Sequence, residues 1–317
     1  MIPTTIPHGR TARRLEWSFL PPHLRAEVER RCGSPVVAAD SRQAGFTPGF
    51  ASVLHCADGS RHFVKAASVK AQRAFAEAYR EEARKLAALP DTVPAPRLLW
   101  THDADDWVVL GIEHVESRAP QRPWTAADLE ATLDALEVVA ESLTPPPAAL
   151  RLPPMSEEFA DWPGLWDRLR DSPPDLPHLA ERLEDAAALA ARFPEVCGGS
   201  TLVHTDVRDD NVLVDDTGRV QLCDWNWPVL GADWVDTVMA LIGPRGDGVD
   251  VDGVLGRRRL VKDVPPAHID VALALLAGYF LLQCQQPVPP TSPHLREAQR
   301  WQGEVVWHWL CERRGWL

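Results

Sequence analysis

Cysteine is scarce and scattered in this chain of 317 residues. The six (Cys32, Cys56, Cys197, Cys223, Cys284 and Cys311) include no C-x-x-C pair. Their spacing therefore points to neither a zinc site nor a disulfide framework, and reduced thiols in a cytoplasmic protein are the expectation. A basic surplus is missing too: 33 Lys and Arg against 45 Asp and Glu leave a net charge of −12. Nonspecific nucleic-acid binding draws on a basic surface and is disfavoured. The opening "MIPTTIPHGRTARRLEW" has no apolar core of a secretory signal. The longest apolar run, "VALALLAGYFLLQC" (271–284), is short for a bilayer and reads as a buried helix, so no membrane association is expected. Lysine is rare: Lys65, Lys70, Lys85 and Lys262 are the whole set. A Lys kept inside an apolar strand of such a chain stands out. No internal repeat is visible, and no obligate protein partner is indicated.

What is present can bury a substantial core, with 45% apolar and 25% charged residues. "LPPHLRAEVERRCG" (20–33) predicts a helix ending at Gly33. "SPVVAADS", "GFASVLHC" and "SRHFVKAA" predict three strands, with Ala57-Asp58-Gly59 turning between the last two. Ser68 is a candidate cap for a helix running to about Leu89. "APRLLWTHDADDWVVLGIEHV" predicts two more strands around an acidic turn. From Thr125, with Asp128 in a capping-box-like position, the character turns helical. The expectation is an α+β chain with a sheet lobe, a helical lobe and a cleft between them.

"LVHTDVRDDNVLVDDTGRVQLCDW" (202–225) is the densest cluster of polar chemistry. "NVLV" and "RVQLCDW" predict a hairpin about Asp215-Asp216-Thr217-Gly218. Pairing them antiparallel brings Asn211 and Asp224 together at its open end. An amide oxygen and a carboxylate are hard ligands that suit Mg²⁺ shared with phosphate oxygens. Asp206, on the loop entering the hairpin, is placed to accept a proton from a hydroxyl. Arg208 on the same loop is a candidate phosphate contact. Any one of these alone reads as an ordinary turn residue; the set at this spacing does not.

"HTDVRDDN" followed by "CDW" resembles the catalytic and metal-binding segments of the aminoglycoside phosphotransferase and choline kinase group, which shares the protein-kinase-like fold. "DWNWPVLGADWVDTVMAL" is similar to a phosphotransferase subgroup of actinobacterial type. The resemblance covers roughly residues 34 to 310. It implies Asp206 as catalytic base, Arg208 as a phosphate contact, Asn211 and Asp224 as Mg²⁺ ligands, and His204 and Asp236 as structural braces of the loop. It implies a bilobal fold: an extension over 1–33, a nucleotide-binding lobe of five antiparallel strands and one long helix over 34–115, and a mostly helical catalytic and acceptor-binding lobe over 116–317. In the first lobe Gly45 and Gly49 of "QAGFTPGFASVL" would let backbone approach phosphates, although the loop departs from G-x-G-x-x-G. Lys65 would meet the α- and β-phosphates, paired with Glu82 on the following helix. Glu77 and Glu81 remain alternatives. Gly111, Ile112 and Glu113 would read the adenine edge.

Only eleven residues separate Asp224 from Asp236, with no A-P-E-like element, so a long peptide-binding activation segment is lacking. The expected acceptor is a small hydroxylated molecule, and the expected cofactors are ATP (or GTP) and Mg²⁺. Trp162, Trp166, Trp301, Trp307 and Trp309 are candidates for packing or for acceptor contact. An aminoglycoside, a choline-, sugar- or nucleoside-like metabolite, and a non-catalytic nucleotide-binding scaffold are the open readings. Antibiotic resistance and metabolism are equally open as roles.

Overall fold

A computed structural model describes residues 1–317 apart from 5, 8, 10, 47 and 48. The N-terminal part is a sheet of β1 (Val36–Ser41), β2 (Phe50–Cys56), β3 (Arg61–Ser68), β4 (Leu98–Ala104) and β5 (Trp107–Glu113), in the order β1-β2-β3-β5-β4 with every pair antiparallel. The β2–β3 register pairs Ala51 with Lys65, and the β3–β5 register pairs Lys65 with Leu110, so this lysine sits in the middle of the sheet. Helix α1 (Pro22–Cys32) lays Leu24 and Val28 on a small apolar core with Phe50, Leu54, Val64 and Val109. It stops at Gly33, whose φ of 80° closes the C-terminus in a left-handed conformation that glycine adopts without a Cβ penalty.

Helix α2 (Arg73–Ala88) covers the opposite sheet face with Ala76, Tyr79, Ala83 and Leu86. It begins after Gln72, not at Ser68, which is the last residue of β3. The Ser68 hydroxyl accepts from the Ala71 amide at 3.2 Å and its carbonyl from Gln72 at 2.8 Å, so this serine shapes a turn before the helix. Thr125 does cap α3 (Ala126–Ser142), accepting from the Asp128 amide at 3.2 Å. The Asp128 carboxylate instead binds Arg118 through two bonds of 2.7 and 2.9 Å.

The C-terminal part is mostly helical: α4 (Leu165–Asp171), α5 (Leu179–Ala190), α6 (Val235–Ala240), α7 (Pro266–Gln283) and α8 (Leu295–Arg314) around one large core. Helix α7 is the one described helix long and apolar enough to cross a membrane; two thirds of that window is buried, packed against α8 and α5. Trp166, Trp307 and Trp309 are fully buried core residues, whereas Trp162 is only partly covered. The expected hairpin forms as β7 (Val212–Val214) and β8 (Val220–Leu222). A second pair, β6 (Thr201–Val203) with β9 (Val229–Gly231), was not expected and brackets residues 204–228. Each strand is only three residues long, too short to show an alternating pattern.

Candidate active site

The hairpin register Val212↔Leu222 and a bond from the Cys223 amide to the Asn211 carbonyl (3.0 Å) bring Asn211 and Asp224 side by side. The Asn211 amide nitrogen is spent on Asp206, donating to its backbone oxygen at 2.8 Å and its carboxylate at 2.9 Å. Its amide oxygen is thereby left as the atom that can meet a cation. Asp224 adopts a φ of 69°, a strained conformation for a residue other than glycine and a common mark of functional loops. Its Oδ1 accepts from Lys65 Nζ at 2.9 Å and from Asn226 Nδ2 at 2.5 Å, which leaves Oδ2 for a second partner. This donor set fits a hard divalent ion.

Lys65 pairs with Glu82, at 2.7 and 3.0 Å, and not with Glu77 or Glu81, which bind Arg80 and Arg84 on the outer face of α2. Glu82 is 1% exposed. Burial disfavours the Lys65 ammonium, but Asp224 and Glu82 more than compensate and hold it protonated. Burial likewise raises Asp224, and Lys65 and Arg208 outweigh it, so this carboxylate stays ionised. Lys85, also buried, donates to the Asn226 carbonyl at 2.5 Å and ties α2 to the segment after Asp224.

Asp206 is held in the loop by backbone geometry. Asp236 accepts from the amides of His204 (2.6 Å) and Thr205 (2.9 Å), and Thr205 has a φ of 66°. His204 Nδ1 accepts from the Asp206 amide at 3.3 Å, so Nε2 carries the proton that it donates to the Cys223 carbonyl at 3.1 Å. Burial lowers the His204 pKa, in keeping with that neutral tautomer. One imidazole thus braces the Asp206 loop against the Asp224 segment. Arg208 contacts Asp206 and grips Asp210 with two bonds of 2.9 Å. Burial raises the Asp206 pKa above the usual carboxylate range, with Arg208 opposing.

Lys65, Glu82, Asp210, Asn211 and Asp224 border a cavity of about 930 Å³ between the sheet and the helical part. Its lining includes Lys65, Glu82, Asn211 and Asp224 at one end and Ile112, Glu113, His114 and Val115 along the strand that leaves the sheet. Two expected residues are placed differently. Gly111 does not line the cavity: a Cβ there would lie 2.1 Å from the Trp100 indole, so glycine is required for packing. Gly49 has a φ of 122° and approaches the Ala66 carbonyl, while Gly45, at a φ of 80°, does line the cavity. The intervening loop tip, Thr47 and Pro48, lies outside the described residues.

Sequence reasoning missed Arg14. It lines the same cavity, donates to the Arg42 and Ala44 carbonyls at 2.6 and 2.8 Å, and acts electrostatically on Asp224. The bond from Thr11 Oγ1 to the Gly45 carbonyl (2.6 Å) fixes the same segment to the glycine loop. Nothing in the spacing of "TARRLEW" marks it; only folding brings the N-terminal segment to the cleft.

A sequence model of the phosphotransferase enzyme family matches residues 52–271, more than half of the chain. The chain belongs to that family. Among solved structures, this phosphotransferase is similar in fold to spectinomycin phosphotransferase APH(9)-Ia in complex with ADP and spectinomycin (TM-score 0.65, 12% identity, 92% of this chain and 98% of that one). It is similar also to a thermostable mutant of aminoglycoside phosphotransferase APH(4)-Ia in a ternary complex with ADP and hygromycin B (0.62, 12%, 92% and 98%). A third is choline kinase LicA from Streptococcus pneumoniae (0.57, 12%, 90% and 99%). No curated protein sequence matches. The five-stranded antiparallel sheet followed by a helical part is the protein-kinase-like arrangement of these enzymes.

Proposed function

We propose that this phosphotransferase moves the γ-phosphoryl group of ATP to a hydroxyl of a small molecule. The observation that carries the reading is the convergence of Asn211 and Asp224 with the Lys65–Glu82 pair at the cavity, with Asp206 bonded directly to Asn211. Lys65, held charged by Glu82, would bind the α- and β-phosphates, and Gly45 would let the loop backbone approach them. Arg14 would add a second cation on the loop side. The edge of the base would lie along residues 112 to 115. Asn211 Oδ1 and Asp224 would hold Mg²⁺, which neutralises charge on the transferring group. Asp206 would orient the acceptor hydroxyl and take its proton, and Arg208 would restrain that carboxylate while meeting phosphate charge.

The surroundings of Asp206 bear on the acceptor. Tyr279 stacks on Trp162 (centroids 4.1 Å apart, 9° between planes), and Trp162 stacks on Phe159. Burial raises the Tyr279 phenol, and the charges it feels are Asp206, Arg208 and Arg296. An aromatic wall with the Arg296 guanidinium near it favours an alcohol with a flat, neutral face over a polycationic aminoglycoside; Arg208 is already paired with Asp206 and Asp210. Turnover of ATP and of GTP across choline, nucleosides, neutral sugars, aromatic alcohols and aminoglycosides tests this. Phosphorylation of aminoglycosides alone would overturn the acceptor assignment. Nucleotide binding without transfer to any of them, and with the same nucleotide affinity in Asp206→Asn, would favour the scaffold reading.

A further inference from the structure

On the sheet face that α1 covers, opposite the cleft, three soft or borderline ligands meet. Cys32 is the last residue of α1, Cys56 the last of β2, and His62 the second of β3. One ligand atom from each lies within 4.8 Å of the other two. The convergence follows from two periodicities. Leu24, Val28 and Cys32 recur every four residues on the helix face that covers the sheet, and Leu54 and Cys56 share a strand face with His62, the cross-strand partner of Leu54.

The hydrogen bonding of His62 turns this proximity into a site. The Ser60 hydroxyl donates its proton to Asp58 Oδ1 at 2.7 Å, and the same carboxylate oxygen accepts from the Ser60 amide at 2.9 Å. With its proton committed, Ser60 Oγ can only accept from His62 Nε2, 3.2 Å away. His62 is therefore the Nε2–H tautomer, and Nδ1 keeps a lone pair. Nδ1 is buried and has no hydrogen-bond partner, a costly state for an acceptor beside two thiols. A ligating histidine whose other ring nitrogen donates to a fixed oxygen is the usual outer-sphere arrangement of metal sites. The two cysteines are free thiols, and burial followed by the neighbouring Cys56 pushes the Cys32 thiol up to about 12.

We propose that Cys32, Cys56 and His62 form a zinc site that staples the N-terminal helix to the nucleotide-side sheet. Ligation at the usual lengths, about 2.3 Å to sulfur and about 2.0–2.1 Å to nitrogen, draws the three atoms closer by a small contraction of the hairpin. Two thiolates neutralise the dication, which removes the objection to charge in this apolar corner. Each ion bound releases the two thiol protons and leaves a fourth position for water. The site shares no ligand with the transfer chemistry, and β3 links the two through Phe63 and Lys65, which line the cavity.

The test uses the full chain in reducing buffer, stripped of metal and titrated with Zn²⁺ and with Co²⁺. One ion per chain is expected, with a thiolate-to-cobalt charge-transfer band, release of about two protons at neutral pH and a raised melting temperature. Cys32→Ser and His62→Gln should each abolish the band. Ser60→Ala, which removes only the orienting hydroxyl, should weaken affinity about 10–100-fold. Asp224→Asn should leave the site intact. If a cysteine variant fails to fold, His62→Gln and Ser60→Ala carry the test. Absence of the cobalt band in the reduced wild-type protein, or a band that survives both Cys32→Ser and His62→Gln, overturns the proposal.

Discussion

Asp206 carries two opposed requirements. As the proposed base it must be ionised, yet burial raises its pKa. Asp206→Asn should lower turnover by about 10²–10⁴-fold, the usual weight of a general base, and turnover near the wild-type value would remove it from that role. The acid limb of the wild-type rate profile should lie above the range of an exposed aspartate. A carboxylate whose folded pKa is raised contributes stability only at low pH and loses it as pH rises through that pKa. The Asn variant should therefore melt no lower than wild type near neutral pH, with any advantage shrinking as pH falls. Burial raises the Asp236 pKa too, but the two loop amides that its carboxylate satisfies oppose that shift and give the carboxylate a structural role. Asp236→Ala should cost about 2–4 kcal/mol in denaturant unfolding as well as activity.

At the scale of the element, most of the chain was legible where a pattern was long enough. The five strands of the sheet, the hairpin and α3 follow alternation, turn residues and a Thr cap. The Lys65–Glu82 partnership was legible as one of three choices, because Glu82 shares a helix face with Leu86 while Glu77 and Glu81 point to Arg80 and Arg84. Glu82→Gln should weaken nucleotide binding while leaving the acceptor KM nearly unchanged, which initial-rate kinetics would resolve. The start of α2 was misplaced because a serine turn and a helix cap share the same residue type. Gly111 was assigned to the nucleotide edge, but its place in β5 makes room for Trp100. Gly111→Ala should cost about 1–3 kcal/mol from overpacking, read by thermal or urea unfolding.

For the whole molecule, the cleft is completed by segments distant in sequence. Mg²⁺ with ATP at about a hundred times Kd should add ~2.7 kcal/mol and raise the melting midpoint by several degrees. Asp224→Asn should lose the rise, and a wild-type protein that shows none with either ATP or GTP would contradict the nucleotide assignment. Arg14→Ala should raise the nucleotide KM several-fold. The N-terminal segment is anchored at both ends: the Ile2 carbonyl accepts from Trp301 Nε1 at 2.9 Å, and the Leu15 amide donates to Gly49 at 3.1 Å. Ile2 thus meets the helical part and Leu15 the glycine loop, and the loss in Arg14→Ala should read out in nucleotide affinity.

The sequence by itself determined the local arrangement of the candidate catalytic segment. H-x-D-x-x-x-x-N, a hairpin turn and a following Asp lie within 21 residues, and short-range geometry allows few ways to arrange them. Tertiary structure alone decided which glycine meets the cavity, which arginine joins Lys65, and that Cys32, Cys56 and His62 share one corner. Each of these depends on how a helix or strand from one part of the chain lies across another. Contacts made across such packing leave no periodicity and no fixed spacing in the sequence.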